Sequence, residues 1–268
     1  WLAGRIRRRI LLSARVSPTL RQHVERLGAA WALRRRPAAD IAYALIVAAV
    51  LIPTALWALA FMQIYRRPHT WYQASRWIYA NAPAGSTFTE EIWDDSLPVG
   101  ISAEDLDRGR YNYRNVSMNI YHDMAPEEKL QHIAAALDQA DYVSLATPRL
   151  YGAVRRLPWR YPVEIRYYEL LFQGQLGFEL AYSATSYPSL WGKDFVDDAA
   201  DESFSVYDHP KALIYRKTRS LSEEDYRALF ADALQSTPLV RRDLDEPPVE
   251  LPAPAYQKSL LLEQPVNQ

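Results

Sequence analysis

Hydrophobic and polar positions divide the chain into one long apolar run and a series of short amphipathic segments. From Ile41 to Ile64 no residue carries a charge. As a helix rising about 1.5 Å per residue, this run reaches ~36 Å, enough to cross a hydrocarbon core of ~30 Å with some tilt. Tyr43 and Tyr65 lie where interfacial rings usually sit, and Pro53 at mid-run suits a kinked membrane helix. A soluble core rarely needs so long an uncharged run, so residues 39–65 are predicted to hold a transmembrane helix.

Shorter periods follow. Thr70 and Gln73 have capping-box spacing for a helix that turns Trp71, Ala74 and Ile78 inward, and Asn81-Ala82-Pro83-Ala84-Gly85 ends it. Residues 86–90 and 116–121 alternate as strands. Pro126 opens a helix with Leu130, Ile133, Ala134 and Leu137 on one face, and residues 142–146 read as a buried strand. Strand, helix, strand in that order predicts a parallel pair with a crossover helix. Pro162 starts another helix, with Ile165, Tyr168 and Phe172 on one side and Gly174 and Gly177 at its close. Residues 178–183 return as a strand. Residues 203–207 alternate, Asp208-His209-Pro210 turns, and residues 212–216 complete an expected hairpin. Ser222 and Asp225 cap a last helix that buries Tyr226, Leu229, Phe230 and Ala233. Prolines 247, 248, 252, 254 and 265 prevent regular structure beyond Asp243. The predicted class is α/β: one transmembrane helix, then a single extracytoplasmic α/β domain over 66–242 with a mixed sheet and flanking helices. Residues 243–268 are read as a Pro-rich tail or linker.

Charge adds a direction. Residues 1–38 contain ten arginines and one acid, Glu25, whereas residues 66–268 hold 21 basic and 30 acidic side chains. The positive-inside bias then places 1–38 in the cytoplasm and 66–268 outside an integral cell-membrane protein. The arginines serve either as a topology signal or as a contact for anionic headgroups. Position 1 is Trp, which leads us to expect a piece of a longer chain, and no cleavage site of the secretory kind follows Ile64. With no cysteine, disulfides, Cys-ligated zinc and thiol nucleophiles are excluded. Net charge near zero, with the basic block assigned to the membrane, leaves no nucleic-acid partner.

Standard catalytic motifs are absent: no phosphate-binding glycine loop, no G-x-S-x-G and no H-E-x-x-H. Asp105-Leu106-Asp107 has the two-Asp form of a nucleotide-sugar metal motif, but Asp243-Leu244-Asp245 repeats it in the tail, so both are read as chance and no metal site is expected. Trp93-Asp94-Asp95 offers a stacking ring and two carboxylates to a sugar, or else a loop with one anchoring Trp. Asp208 and His209 are adjacent, as an acid–base pair or as turn chemistry. Arg149, Tyr151, Arg155, Arg156 and Arg160 suit a phosphate or anionic headgroups. Asp197, Asp198, Asp201 and Glu202 read as a solvated acidic face.

Taken in order, Trp77-Ile78, Asn81–Gly85, Trp93-Asp94-Asp95-Ser96-Leu97-Pro98, Lys129-Leu130, Ala140-Asp141-Tyr142-Val143, Arg149-Leu150-Tyr151-Gly152, Tyr161-Pro162, Tyr167-Tyr168, Leu171-Phe172 and Glu202–Pro210 form a recognisable succession. Over residues 39–220 it resembles the outer domain that follows the last membrane helices of multi-pass GT-C-type glycosyltransferases. Within that group it is similar to the protein-mannosyltransferase-like family and the YYY-type membrane proteins. The resemblance implies sugar transfer from a lipid-phosphate-linked donor. Its catalytic acid lies in an early outer loop that has no counterpart here, so no catalytic residue carries over and this piece alone is expected to be inactive. Trp93, Asp94, Asp95, Arg149, Tyr151, Tyr168, Asp208 and His209 are the expected substrate-facing residues. The implied partners are membrane lipid, other transmembrane helices of a parent chain and a lipid-linked sugar or glycan; no cofactor other than that donor is implied. The alternative from a different class is a non-catalytic anchored module that braces a membrane bundle or binds envelope polysaccharide or protein.

Overall fold

The computed structural model describes residues 37–236 and the isolated positions Thr19, Gln22 and Arg26. The basic segment up to residue 36 and the Pro-rich tail otherwise lie outside the described residues. Contacts divide the chain into two units, Trp1–Leu59 and Ala60–Gln268.

Helix α1 (Pro37–Met62) carries the apolar run, and among the described residues it leads the one helix long and apolar enough to cross a membrane. Its large side chains, among them Leu45, Val50 and Leu51, are exposed. Pro53 lacks an amide hydrogen, and the neighbouring Thr54 hydroxyl donates to the Val50 carbonyl at 2.7 Å.

The second unit is mixed α/β. A one-turn 3₁₀ helix (Ile64–Arg66) leads to α2 (Thr70–Asn81). The cap of α2 differs from the capping box expected at Thr70. His69 is the N-cap, its Nδ1 accepting from the Trp71 amide at 3.2 Å, while Gln73 donates back to the Pro68 carbonyl. Extended backbone at His69 puts the imidazole in the place where a Ser or Thr oxygen would serve.

Strands β1 (Thr87–Glu91), β2 (Arg114–Met118), β3 (Tyr142–Leu145), β4 (Phe178–Ala184) and β7 (Ala212–Lys217) make one sheet in the order β2-β1-β3-β7-β4. The first three are parallel, and β7 runs antiparallel to both β3 and β4. The strands flanking the crossover helix α4 (Pro126–Gln139) are therefore parallel, as expected, but β1 lies between them. Phe88 on β1 stacks on Tyr142 at 5.0 Å, and Ser144 donates its hydroxyl to the Thr89 carbonyl.

Side chains alternate across this sheet. Val143, Leu145, Leu213 and Tyr215 join Leu130, Ile133 and Leu137 of α4 and Tyr167 and Leu170 of α6 (Pro162–Phe172) in one core. Tyr142, Ala146, Ala212 and Ile214 face Ala74 and Ile78 of α2 on the other side. Both sheet faces are thus covered by helices. Gly177 is required at the turn after α6: its φ is +76°, and a Cβ there would lie 2.3 Å from the Arg219 carbonyl oxygen. The last helical pair, α8 (Glu223–Leu229) and α9 (Ala231–Leu234), opens on the reciprocal Ser222–Asp225 capping box read from the spacing.

One expected strand is not present. Residues 203–205 belong to a single helical turn, α7 (Glu202–Ser205), residues 206 and 207 continue as a turn, and the segment adds no strand beside β7. Asp201 decides this: its carboxylate accepts from both the amide (3.0 Å) and the hydroxyl (2.6 Å) of Ser203, a helix N-cap that commits the chain to turn. Phe204 and Val206, read as one face of a strand, are instead separated, the first half-exposed and the second buried.

Candidate functional site

All three parallel strands and β4 end at the same edge of the sheet, where loops of an open α/β sheet conventionally build sites. The 27 residues between β4 and β7 fold over this edge. They hold the small hairpin of β5 (Ser189–Leu190) and β6 (Lys193–Asp194), an acidic loop, α7 and the turn before β7. Between this insertion, the sheet and α5 (Arg149–Val154) lies a cleft of about 350 Å³. That is within the range of small-ligand sites.

Leu180, Leu213 and Tyr215 form its floor, Tyr151 and Tyr187 its aromatic walls. Gly152 lets α5 approach α7, since a Cβ there would meet the Glu202 Cβ at 3.2 Å. Three acids line the cleft, and each is held. Asp197 Oδ2 lies 2.8 Å from His209 Nε2; Asp198 accepts from Tyr187 (2.9 Å) and pairs with Lys211 (2.5 Å); Glu202 pairs with Arg156 at 2.6 Å. Burial, and after it the hydrogen bond to the Asp198 carboxylate, raise the Tyr187 phenol above its ordinary range. Arg155, at the C-terminus of α5, is exposed and has no ion pair among the described residues.

The expected site residues divide accordingly. Tyr151 and His209 line the cleft. Asp208 does not pair with His209: the two side chains part, as neighbours in a turn do, and Asp208 accepts from the Tyr65 hydroxyl at 2.6 Å. His209 is paired instead with Asp197, one of the acids read as a solvated face. That reading is corrected for Asp197 and Glu202, whose part-buried side chains are built into the cleft wall; Asp198 also lines the cleft but is exposed, as read. The signal missed was a spacing of 12 residues, too long for local pattern and closed only by the fold over the sheet edge.

A second group sits at the ends of β1 and β3. Asp94 accepts from the Thr147 amide (3.0 Å) and hydroxyl (2.9 Å), tying the two strand ends together. Burial raises the Asp94 carboxyl, and these hydrogen bonds oppose the rise. Trp93 is exposed, with φ +83°, and its carbonyl accepts from Arg149 at 2.8 Å. Asp95 is exposed. Arg149 also lies 5.5 Å from the Tyr207 ring centroid. The basic stretch 149–160 is therefore not one phosphate grip. Arg149 meets Trp93 and Tyr207, Arg156 meets Asp201 and Glu202, and Arg160 meets Asp123, leaving Arg155 for the cleft.

Tyr168 is buried one layer behind Tyr151, their ring centroids 5.9 Å apart. Its hydroxyl hydrogen-bonds Glu91 at 2.8 Å. Glu91, at the carboxyl end of β1, lies one residue beyond the strand expected over 86–90. It is 3% exposed, and burial pushes its carboxyl up to about 8, the Tyr168 bond opposing and the Asp94 charge adding. A perturbed acid behind a cleft is a recognised mark of function, though ion-pair networks in a core share it.

The contact of this edge with residues 60–69 completes the geometry. Phe61 packs edge-on against His209, with centroids 5.6 Å apart, and also against Phe204. Among the described residues no group of three or more His, Cys, Asp or Glu side chains forms a metal-binding cluster; Asp105 pairs with Arg110, and Asp107 caps α3 (Arg108–Tyr111). No family model, no curated protein and no solved structure matches the chain.

Proposed function

We propose that this chain is the anchored outer part of a membrane glycosyltransferase that uses a lipid-phosphate-linked sugar, and that the cleft over β4 and β7 holds the sugar. The observation that carries the proposal is the cleft's position and lining. It combines tyrosine rings and fixed carboxylates with Arg155, which has no ion pair among the described residues, and its wall at His209 rests on Phe61. Tyrosine faces stack on sugar rings, and fixed carboxylates accept from sugar hydroxyls. Phe61, which packs on His209, lies three residues before the end of the uncharged run. That is the stretch of chain where a lipid-linked phosphate is met once residues 41–64 are in the bilayer, 1–38 in the cytoplasm and 66–268 outside. Arg155 then meets the phosphate. The catalytic group would come from another part of a parent chain.

A second reading is favoured by one observation: all three cleft acids are already paired with His209, Lys211 or Arg156, which makes them acceptors rather than proton donors. This is the non-catalytic module, which binds a glycan without needing its phosphate. The full chain in lipid nanodiscs, titrated calorimetrically with a polyprenyl-phosphate-linked sugar and with the free sugar, separates the two. Phosphate-dependent binding that Arg155→Ala weakens about tenfold, or ~1.4 kcal/mol, is expected. Equal affinity for the free sugar, unaffected by Arg155→Ala, would leave the non-catalytic module; binding of neither would remove the cleft as a glycan site.

A further inference from the structure

The β5–β6 hairpin carries an exposed tryptophan that nothing in the fold explains. Its loop is two residues, Trp191-Gly192, between the paired Leu190 and Lys193. Both loop residues have positive φ, +52° and +78°, as in a type I′ turn. Asn-Gly is the usual choice there, because a bulky residue seldom adopts left-handed backbone. Trp191 adopts it and is 84% exposed, the highest value among the described large hydrophobic residues, so core packing gives no reason for the ring. Val196, just beyond the hairpin, is 67% exposed.

The hairpin is also tied to the chain where the apolar run ends. Strands of two residues do not hold themselves in place. Arg67, three residues after Ile64, holds these two: its Nη2 donates to Ser189 Oγ at 2.9 Å and pairs with Asp194 Oδ1 at 3.2 Å, one contact to each strand. The hairpin base is thus fixed to the segment that leaves α1.

We propose that Trp191 is an interfacial anchor, inserted by this hairpin into the headgroup layer of the lipid bilayer. The proposal rests on the membrane-spanning reading of α1 and goes beyond it, since it assigns a second, non-helical contact with lipid. An indole ring, apolar with one N–H donor, belongs at that depth. Exposed Lys193 beside it meets anionic headgroups, and Tyr65, 56% exposed, supplies a second interfacial ring on the exit segment.

The chain contains no cysteine, so single labels can be placed without background. Full-length chain is reconstituted in vesicles of phosphatidylcholine and phosphatidylglycerol. An environment-sensitive fluorophore is attached at Trp191→Cys, at Leu51→Cys within α1, or at Ser220→Cys at the opposite end of the sheet. The expected result is a label at 191 several-fold less quenched by aqueous iodide than the one at 220, and quenched by nitroxide carried on lipid headgroups. Nitroxide deep in the acyl chains should quench the label at 51. Iodide access at 191 equal to that at 220, with 51 in hydrocarbon, overturns the anchor and leaves the span intact. Protection at 191 without quenching by lipid nitroxide means a protein contact, and overturns the lipid assignment. Iodide access at 51 removes the span itself and the anchor with it.

Discussion

Helix α6 borders two buried carboxylates one turn apart, and the protein answers them in opposite ways. Glu164, on the helix itself, is paired with Lys129 of α4 at 3.2 Å, both side chains almost wholly buried. Lys129 also donates to the carbonyls of Asn119, Ile120 and His122 at 2.7–3.0 Å. Burial raises the Glu164 carboxyl, and the Lys129 ammonium opposes the rise. Glu91 meets α6 one turn later, through Tyr168; among the described residues it has no cation beside it and its second oxygen has no hydrogen-bond partner. The first arrangement is a charged latch that ties α4, α6 and the loop after β2 together. The second is an acid that burial keeps protonated near neutral pH, one aromatic layer from the cleft. A buried charge with a full set of partners makes the fold depend on each of them, because losing one strands the rest, whereas a buried acid without a cation makes the fold sensitive to pH.

Breaking the latch should have the largest effect. Lys129→Met leaves Glu164 and three carbonyls buried without their donor, and is expected to cost about 3–5 kcal/mol in denaturant unfolding of the detergent-solubilised chain. Adding Glu164→Leu should restore most of that loss, because the unpaired charge leaves with its partner. A double variant as unstable as the single one would show that the carbonyls, not the carboxylate, set the cost.

Glu91 should be visible as a pH slope. Its folded value is raised from 4.5 to about 8, so between these values the folded state holds a proton that the unfolded chain has released. Stability from this group is full below about pH 4.5 and is lost as pH rises towards about 8, by on the order of 4 kcal/mol. Glu91→Gln should remove that part of the slope in melting temperatures taken across this range. An unchanged slope would mean that Glu91 ionises normally and that the contrast with Glu164 is only geometric.

The smallest effect is expected from Tyr168→Phe, which deletes the hydrogen bond to the Glu91 carboxyl. A loss of about 1–3 kcal/mol should appear in the same unfolding series. Because that bond favours the ionised carboxylate, its removal should also shift the end of the Glu91 slope to higher pH. A shift to lower pH would place the phenol as a donor to the neutral acid instead.

These contrasts also mark how far the chain could be read unaided. Glu91 and Glu164 look alike in sequence, each an acid beside apolar residues. What separates them is Lys129, 35 positions from Glu164 and on another helix. The cleft shows the same limit: Tyr151 and His209 were legible as chemistry-bearing residues, but Asp197, Asp198 and Lys211 were not. Their partners lie across the sheet edge, and Asp197-Asp198 in isolation has the composition of a solvated loop. Residues 203–207 fail for a different reason. Five residues of alternation fit a strand as well as one helical turn, and only the Asp201 cap chose between them.

The sequence by itself determined whatever depends on neighbours within a turn or two. That covers the uncharged run of α1, the prolines that open α4 and α6, the glycines that close α6, the Ser222–Asp225 cap and the α/β class that follows from their order. Such features rest on backbone geometry and solvent transfer, which act locally. Tertiary structure alone decided that β1 sits between β2 and β3, that Asp197 and not Asp208 holds His209, and that Trp191 is left uncovered by the core at the tip of a hairpin pinned by Arg67. Those outcomes depend on contacts between positions far apart in the chain, and pairing energies of that kind leave no period in the sequence.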